Sequence, residues 1–174
     1  TAYLRVVRLV CLATFPISIG VFVMAEPVIL GLYGQQWMGS VEILRVLSLL
    51  GISQSVLALN GSIYQSQGAT MLQFKWGLLF KLIIISAIVA GLPYGVMGIA
   101  IAYTVASFCI TIPNLLVLGR VIPIRLRDVF ASCYMPLLFS TIMGLVVYLF
   151  LVFVGSSWNN VVLLLTGVPV GVLV

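Results

Sequence analysis

Apolar residues run through this chain in long blocks instead of the short periodic stripes of a water-soluble fold. The blocks cover about 6–30, 41–67, 71–92, 96–119, 130–154 and 161–174, and the last reads as truncated. Each of the first five exceeds the roughly 20 apolar residues a helix needs to cross about 30 Å of hydrocarbon. Barrel strands would show alternation over segments of about ten residues, and no such alternation is seen here. The pattern predicts an all-α, polytopic transmembrane bundle of about six spans. Short connections rich in Gly, Pro, Ser and Asn separate the blocks at 32–40, 68–70, 93–95, 120–129 and 155–160. Pro16, Pro113, Pro136 and Pro169 fall inside blocks. Each removes a backbone hydrogen bond and is expected to kink its helix.

Composition supports lipid as the solvent. Hydrophobic residues make up 63% of the 174 positions and charged residues 6%, with a mean hydropathy of +1.33. A soluble domain has about 25% charged residues, so this chain has too few to cover itself in water. It opens at Thr1 and ends at Val174 within an apolar run. An internal piece of a longer polypeptide, forming one transmembrane lobe over 1–174, is the expectation.

The cations set a direction. Arg5 and Arg8 begin the first block, Lys75 follows the second connection, and Arg120, Arg125 and Arg127 crowd the fourth. The connections at 32–40, 93–95 and 155–160 carry neither Lys nor Arg. Cationic loops resist translocation, so these cations mark the cytoplasmic side and the first block leaves from it. Tyr33, Trp37, Tyr94 and Trp158 lie in or beside the opposite connections, as an interfacial aromatic belt requires. Residues 120–128 mix basic and apolar positions; they either lie along the inner surface or form a plain basic loop. The net charge of +5 therefore reports topology, and no nucleic-acid partner is expected.

Three charges lie where hydrocarbon makes them costly. Lys81 falls near mid-depth of its block and either faces a polar cavity or snorkels to the interface. Arg45 follows Glu42 by three residues, and at 100° per residue Glu42, Arg45, Ser53, Asn60, Tyr64 and Gln67 share one stripe. Such a stripe either lines a hydrophilic cavity or makes interhelical hydrogen bonds. Gln54 lies just off it. Glu26, before Pro27, is the one acid placed to titrate within the membrane and so a possible ion-coupling group. Cys11, Cys109 and Cys133 are isolated, which supports neither a metal site nor a disulfide framework. There is no His, paired carboxylate or phosphate loop. No catalytic residue, metal or cofactor is expected, and the chain is not read as an enzyme.

The order of these elements resembles a known family. Pro16 and Gly20, then Ala25-Glu26-Pro27-Val28-Ile29, then Leu32-Tyr33-Gly34-Gln35-Gln36-Trp37 are similar to the polysaccharide exporters of the multidrug/oligosaccharidyl-lipid/polysaccharide superfamily, lipopolysaccharide and colanic-acid type. Gln65-Ser66-Gln67-Gly68 and Tyr94-Gly95-Val96-Met97-Gly98-Ile99-Ala100 resemble its later turn motifs, although Gln67 replaces a small residue there. The resemblance covers roughly 6–120; beyond it only hydropathy and topology fit.

The resemblance implies the C-terminal lobe of a two-lobed transporter in the bacterial inner membrane, flipping a polyprenyl-diphosphate-linked oligosaccharide by alternating access. Its implied partners are that lipid-linked substrate, membrane lipids, the preceding helices of the same chain and other membrane proteins of polysaccharide assembly. Arg45 and Lys81 would neutralise the diphosphate, while Ser53, Gln54, Asn60 and Tyr64 are candidates for the sugar path. A drug or cation antiporter of the same superfamily, a membrane-embedded glycan polymerase or ligase, and a plain scaffold bundle are the other readings. In a cysteine-free background, single thiols at Arg125 and within 32–40 should react with an impermeant reagent from opposite sides of the membrane; reaction from one side would break the threading.

Overall fold

The computed structural model describes residues 2–154. Within them the first block becomes α1 (Ala2–Val23) and α2 (Ala25–Leu32), joined through Met24 by continuing backbone hydrogen bonds. A short 3-10 turn, Gln35–Ser40, leads to a second leg made of α3 (Val41–Ser48), α4 (Leu50–Leu57) and α5 (Asn60–Ser66). Then come α6 (Thr70–Gly91), a 3-10 turn at Leu92–Tyr94, α7 (Gly95–Leu118) and α8 (Leu126–Val154). Four helical runs are long and apolar enough to cross a membrane: Tyr3–Val23, Gln35–Ser66, Thr70–Leu118 and Leu126–Phe153. The third is two crossings, because the chain reverses at Leu92–Tyr94 and α6 packs back along α7. The described residues thus form five legs of an all-α bundle, and the segment expected at 161–174 lies outside them, as does Trp158.

Contacting pairs fix the relative directions of the legs. Cys11 meets Cys133 and Gly20 meets Met143, so α1 and α8 run parallel. Tyr3 reaches Asn60, whereas Ser18 lies against Gly51, so the second leg runs antiparallel to α1. Gln54 meets Tyr103 and Asn60 meets Asn114, so α7 follows the direction of the second leg. Consecutive legs therefore alternate, as threading through a bilayer demands.

The core follows from residue spacing. On α1, Tyr3, Val7, Cys11 and Phe15 recur every four residues and are buried. On α8, Val129, Cys133, Pro136, Ser140, Met143 and Val147 repeat at four and three and are buried in turn. Two such stripes form a straight seam between parallel helices. The outward faces stay greasy: Leu9, Ile17 and Phe74 keep about two-thirds of their surface exposed (64%, 65% and 67%). Hydrocarbon is the medium in which such faces are stable.

Small residues set the closest approaches. A Cβ on Gly51 would collide with Ser18 Oγ, and one on Gly144 with Ile19. With no water to expel, helices in lipid associate by such backbone-close packing. Gly68 and Gly95 adopt φ of 67° and 71° at the two tight reversals, a region open to Gly without steric cost.

One break falls beside a proline: Pro27 has no N–H to give the Val23 carbonyl, and the helix is interrupted at Met24. The helices continue through Pro16, Pro113 and Pro136, whereas the proline-free second leg breaks at Leu49 and at Ala58–Leu59. There, Ser48, Ser53 and Ser55 hydroxyls donate back to the carbonyls of Arg45, Leu50 and Gly51 at 2.7, 3.1 and 2.7 Å. Such back-bonding bends helices. Tightened i to i−3 bonds, Ile52 N to Leu49 O at 3.1 Å and Ala58 N to Ser55 O at 3.4 Å, mark the joints. The connection after α7 is shorter than its sequence suggests, since α8 already begins at Leu126. Its Val121, Ile122 and Ile124 fold onto the core and close that end of the bundle.

A Cβ on Gly91 would lie 2.7 Å from the Gly98 carbonyl oxygen. Gly91→Ala should therefore lower the thermal midpoint, with an overpacking cost of about 1–3 kcal/mol, despite alanine's better helix propensity. Gly39→Ala, which meets no atom within 4 Å, should leave the midpoint unchanged.

Candidate functional site

The alternating legs collect the charges at two ends. Arg5 and Arg8 on the first turns of α1, Lys75 on α6, Arg120 and Arg125 in the connection and Arg127 on α8 share one end. Glu26, Glu42 and Arg45 lie at the other, with exposed Tyr33, Trp37 and Tyr94. The Tyr33 and Trp37 rings approach with centroids 6.3 Å apart at 60°.

Arg45 is already engaged. Its guanidinium donates to Glu42 at 2.6 Å and stands 3.7 Å from Glu26. Two carboxylates face one cation, so the cluster carries one surplus negative charge and ties α2 to α3. This is not the free cation that a diphosphate would seek. Glu26, the candidate coupling acid, is part of the same cluster.

The stripe predicted along the second leg does not act as one face, because the breaks in that leg interrupt the 100° register. Glu42 and Gln67 are exposed, whereas Ser53, Asn60 and Tyr64 turn inward. Ser53 is satisfied by its own helix at Leu50. Tyr64 is buried in the same apolar cluster as Tyr3 and Val7. Asn60 accepts from the Tyr3 hydroxyl at 3.2 Å and donates to Asn114 at 2.9 Å, linking three legs. Gln54 is exposed and its amide meets the Tyr103 hydroxyl at 3.4 Å.

Two hollows adjoin these residues. An apolar groove of about 200 Å³ lies between α3, α6 and α7, lined by Ile43, Leu47, Ile88, Val96, Ile99 and Tyr103. A polar notch of about 150 Å³ opens between α5, α6 and α7, lined by Asn60, Tyr64, Gln73, Trp76, Gly77 and Asn114 among others. Gln73 and Asn114 were not singled out in the sequence. The available signal was their isolation: each is the lone carboxamide in its apolar block, and a lone amide in hydrocarbon needs a partner.

Lys81 stands apart from every carboxylate on the exposed face of α6. Its neighbours on that face include Phe74, Leu78 and Ile85, all exposed. It lies 11 residues after Thr70 in a 22-residue helix, hence about 16 Å along the leg.

Comparison with known proteins follows the same lines. Residues 1–42 match a family model described as polysaccharide biosynthesis protein. Over 150 residues the chain is 27% identical to the teichuronic acid biosynthesis protein TuaB of Bacillus subtilis, covering 84% of this chain and 30% of that protein. The chain is thus similar to polysaccharide biosynthesis proteins. The resemblance drawn from its motifs is borne out at that level. It spans less than a third of the relative's length, and no solved structure matches it.

Arg45→Ala leaves Glu26 and Glu42 without their shared cation and should cost about 0.2–1 kcal/mol, the range for exposed ion pairs. Glu26→Gln in that background should restore part of the loss. Thermal unfolding of the single and double variants measures the coupling.

Proposed function

We propose that this chain is part of a flippase that carries a polyprenyl-diphosphate-linked oligosaccharide across the bacterial plasma membrane for surface polysaccharide synthesis, and that it is not an enzyme. The observation that carries the reading is Lys81, a cation with no carboxylate partner among the described residues, near mid-depth of a mainly apolar leg. A lysine ammonium left in lipid there costs several kcal/mol, so the ammonium itself reaches water or an anion. A diphosphate crossing the hydrocarbon needs such a cation, because Coulomb attraction strengthens as the local dielectric falls. The kinship with polysaccharide biosynthesis proteins supports the same substrate class.

The cationic end of the bundle faces the cytoplasm in this reading, by the positive-inside rule. The lobe rocks against the remaining helices of the intact protein, exposing its path to one side and then the other. An antiporter of the same superfamily needs a membrane carboxylate free to exchange an ion, and the best-placed acid, Glu26, already faces Arg45 at 3.7 Å. The flippase reading is therefore preferred.

In the intact protein, Lys81→Ala should cut surface polysaccharide roughly tenfold, the loss of one charge-assisted contact, with expression unchanged. Lys81→Arg should retain most of it. Normal polysaccharide in Lys81→Ala would overturn the role of Lys81.

A further inference from the structure

The notch between α5, α6 and α7 has a chemistry distinct from the rest of the bundle. Three carboxamides from three legs, Asn60, Gln73 and Asn114, converge on it. Asn60 spends its amide on Asn114 and its carbonyl on Tyr3. Gln73 has no side-chain partner among the described residues, and its amide nitrogen passes 3.4 Å from where a Cβ on Gly61 would be. No charged residue lines the notch. Its aromatic wall is Trp76, whose ring lies 5.9 Å from that of Phe80.

Uncharged donors and acceptors beside an indole suit a ring with hydroxyls at its edge and C–H groups on its face. A volume of about 150 Å³ is half the lower end of drug-sized pockets, at about 300–1,000 Å³, so it admits one ring. Gly77 keeps it open: a Cβ there meets nothing within 4 Å. Lys81 follows Gly77 by four residues on the same helix, which places the two as surface neighbours about 6 Å apart along the axis.

We propose that the notch seats the single sugar directly attached to the diphosphate, while Lys81 one turn away holds the diphosphate itself. This rests on the flippase reading and adds to it a discrimination: the notch distinguishes a sugar-bearing carrier from a bare one. Gln73 and Asn114 donate to the sugar hydroxyls, and Gly77 supplies the space.

The test uses the intact protein in detergent and two probes, a polyprenyl diphosphate carrying one hexose and the same lipid without sugar. Gly77→Leu fills the notch without striking the backbone. It should weaken the hexose-bearing lipid about tenfold, as loss of one to two hydrogen bonds would, and leave the bare lipid unchanged. Gln73→Leu should act in the same direction, and Lys81→Ala should weaken both lipids. Equal weakening of both lipids by Gly77→Leu would mark the notch as a packing joint and overturn the proposal. So would the absence of any effect, with the flippase reading intact. Failure of the unaltered protein to bind either lipid would instead remove the flippase reading itself.

Discussion

Val7, Cys11 and Phe15 lose essentially all their exposed surface along one side of α1, and the placement of every other leg refers to that seam. Hydrocarbon offers apolar side chains no gain on leaving it, so the seam is held by contact quality alone. Repeats at three and four on α8 present complementary knobs, and glycines at 51 and 144 let the flanking backbones close in. With α1 fixed between α8 and the second leg, the α6–α7 hairpin has one remaining side on which to pack, and the polar notch forms where it does.

Most of the architecture was legible in hydropathy. Block length alone separated the legs to within a few residues, and the alternating cations anticipated the alternating directions that Cys11–Cys133 and Asn60–Asn114 display. Internal breaks were not legible in the same way. Pro16, Pro113 and Pro136 lie within continuous helices, whereas two joints fall in a proline-free leg whose serines bond their own backbone. Hydroxyl back-bonding depends on rotamer and surroundings, which a linear pattern does not record.

The polar residues show the same division. Sequence spacing set Arg45 beside Glu42, but Glu26 is 19 positions away, and only the fold back of α2 onto α3 brings this second carboxylate to it. The stripe assumed one unbroken helix; Ser53, Asn60 and Tyr64 stay buried together, while Glu42 and Gln67 at its ends are exposed. Lys81 needed no partner to be identified, and its isolation on α6 survives folding. Gln73 and Asn114 gain meaning only from convergence across legs, which no single segment contains.

The parallel seam has a consequence for assembly. Cys11 and Cys133 are 122 residues apart, so a contact of very long range joins the first leg described to the last. Closing so large a loop is entropically slow. Until α8 arrives during synthesis, that side of α1 must be shielded by lipid or by a transient companion. The first helix waits, half-dressed, for the fifth.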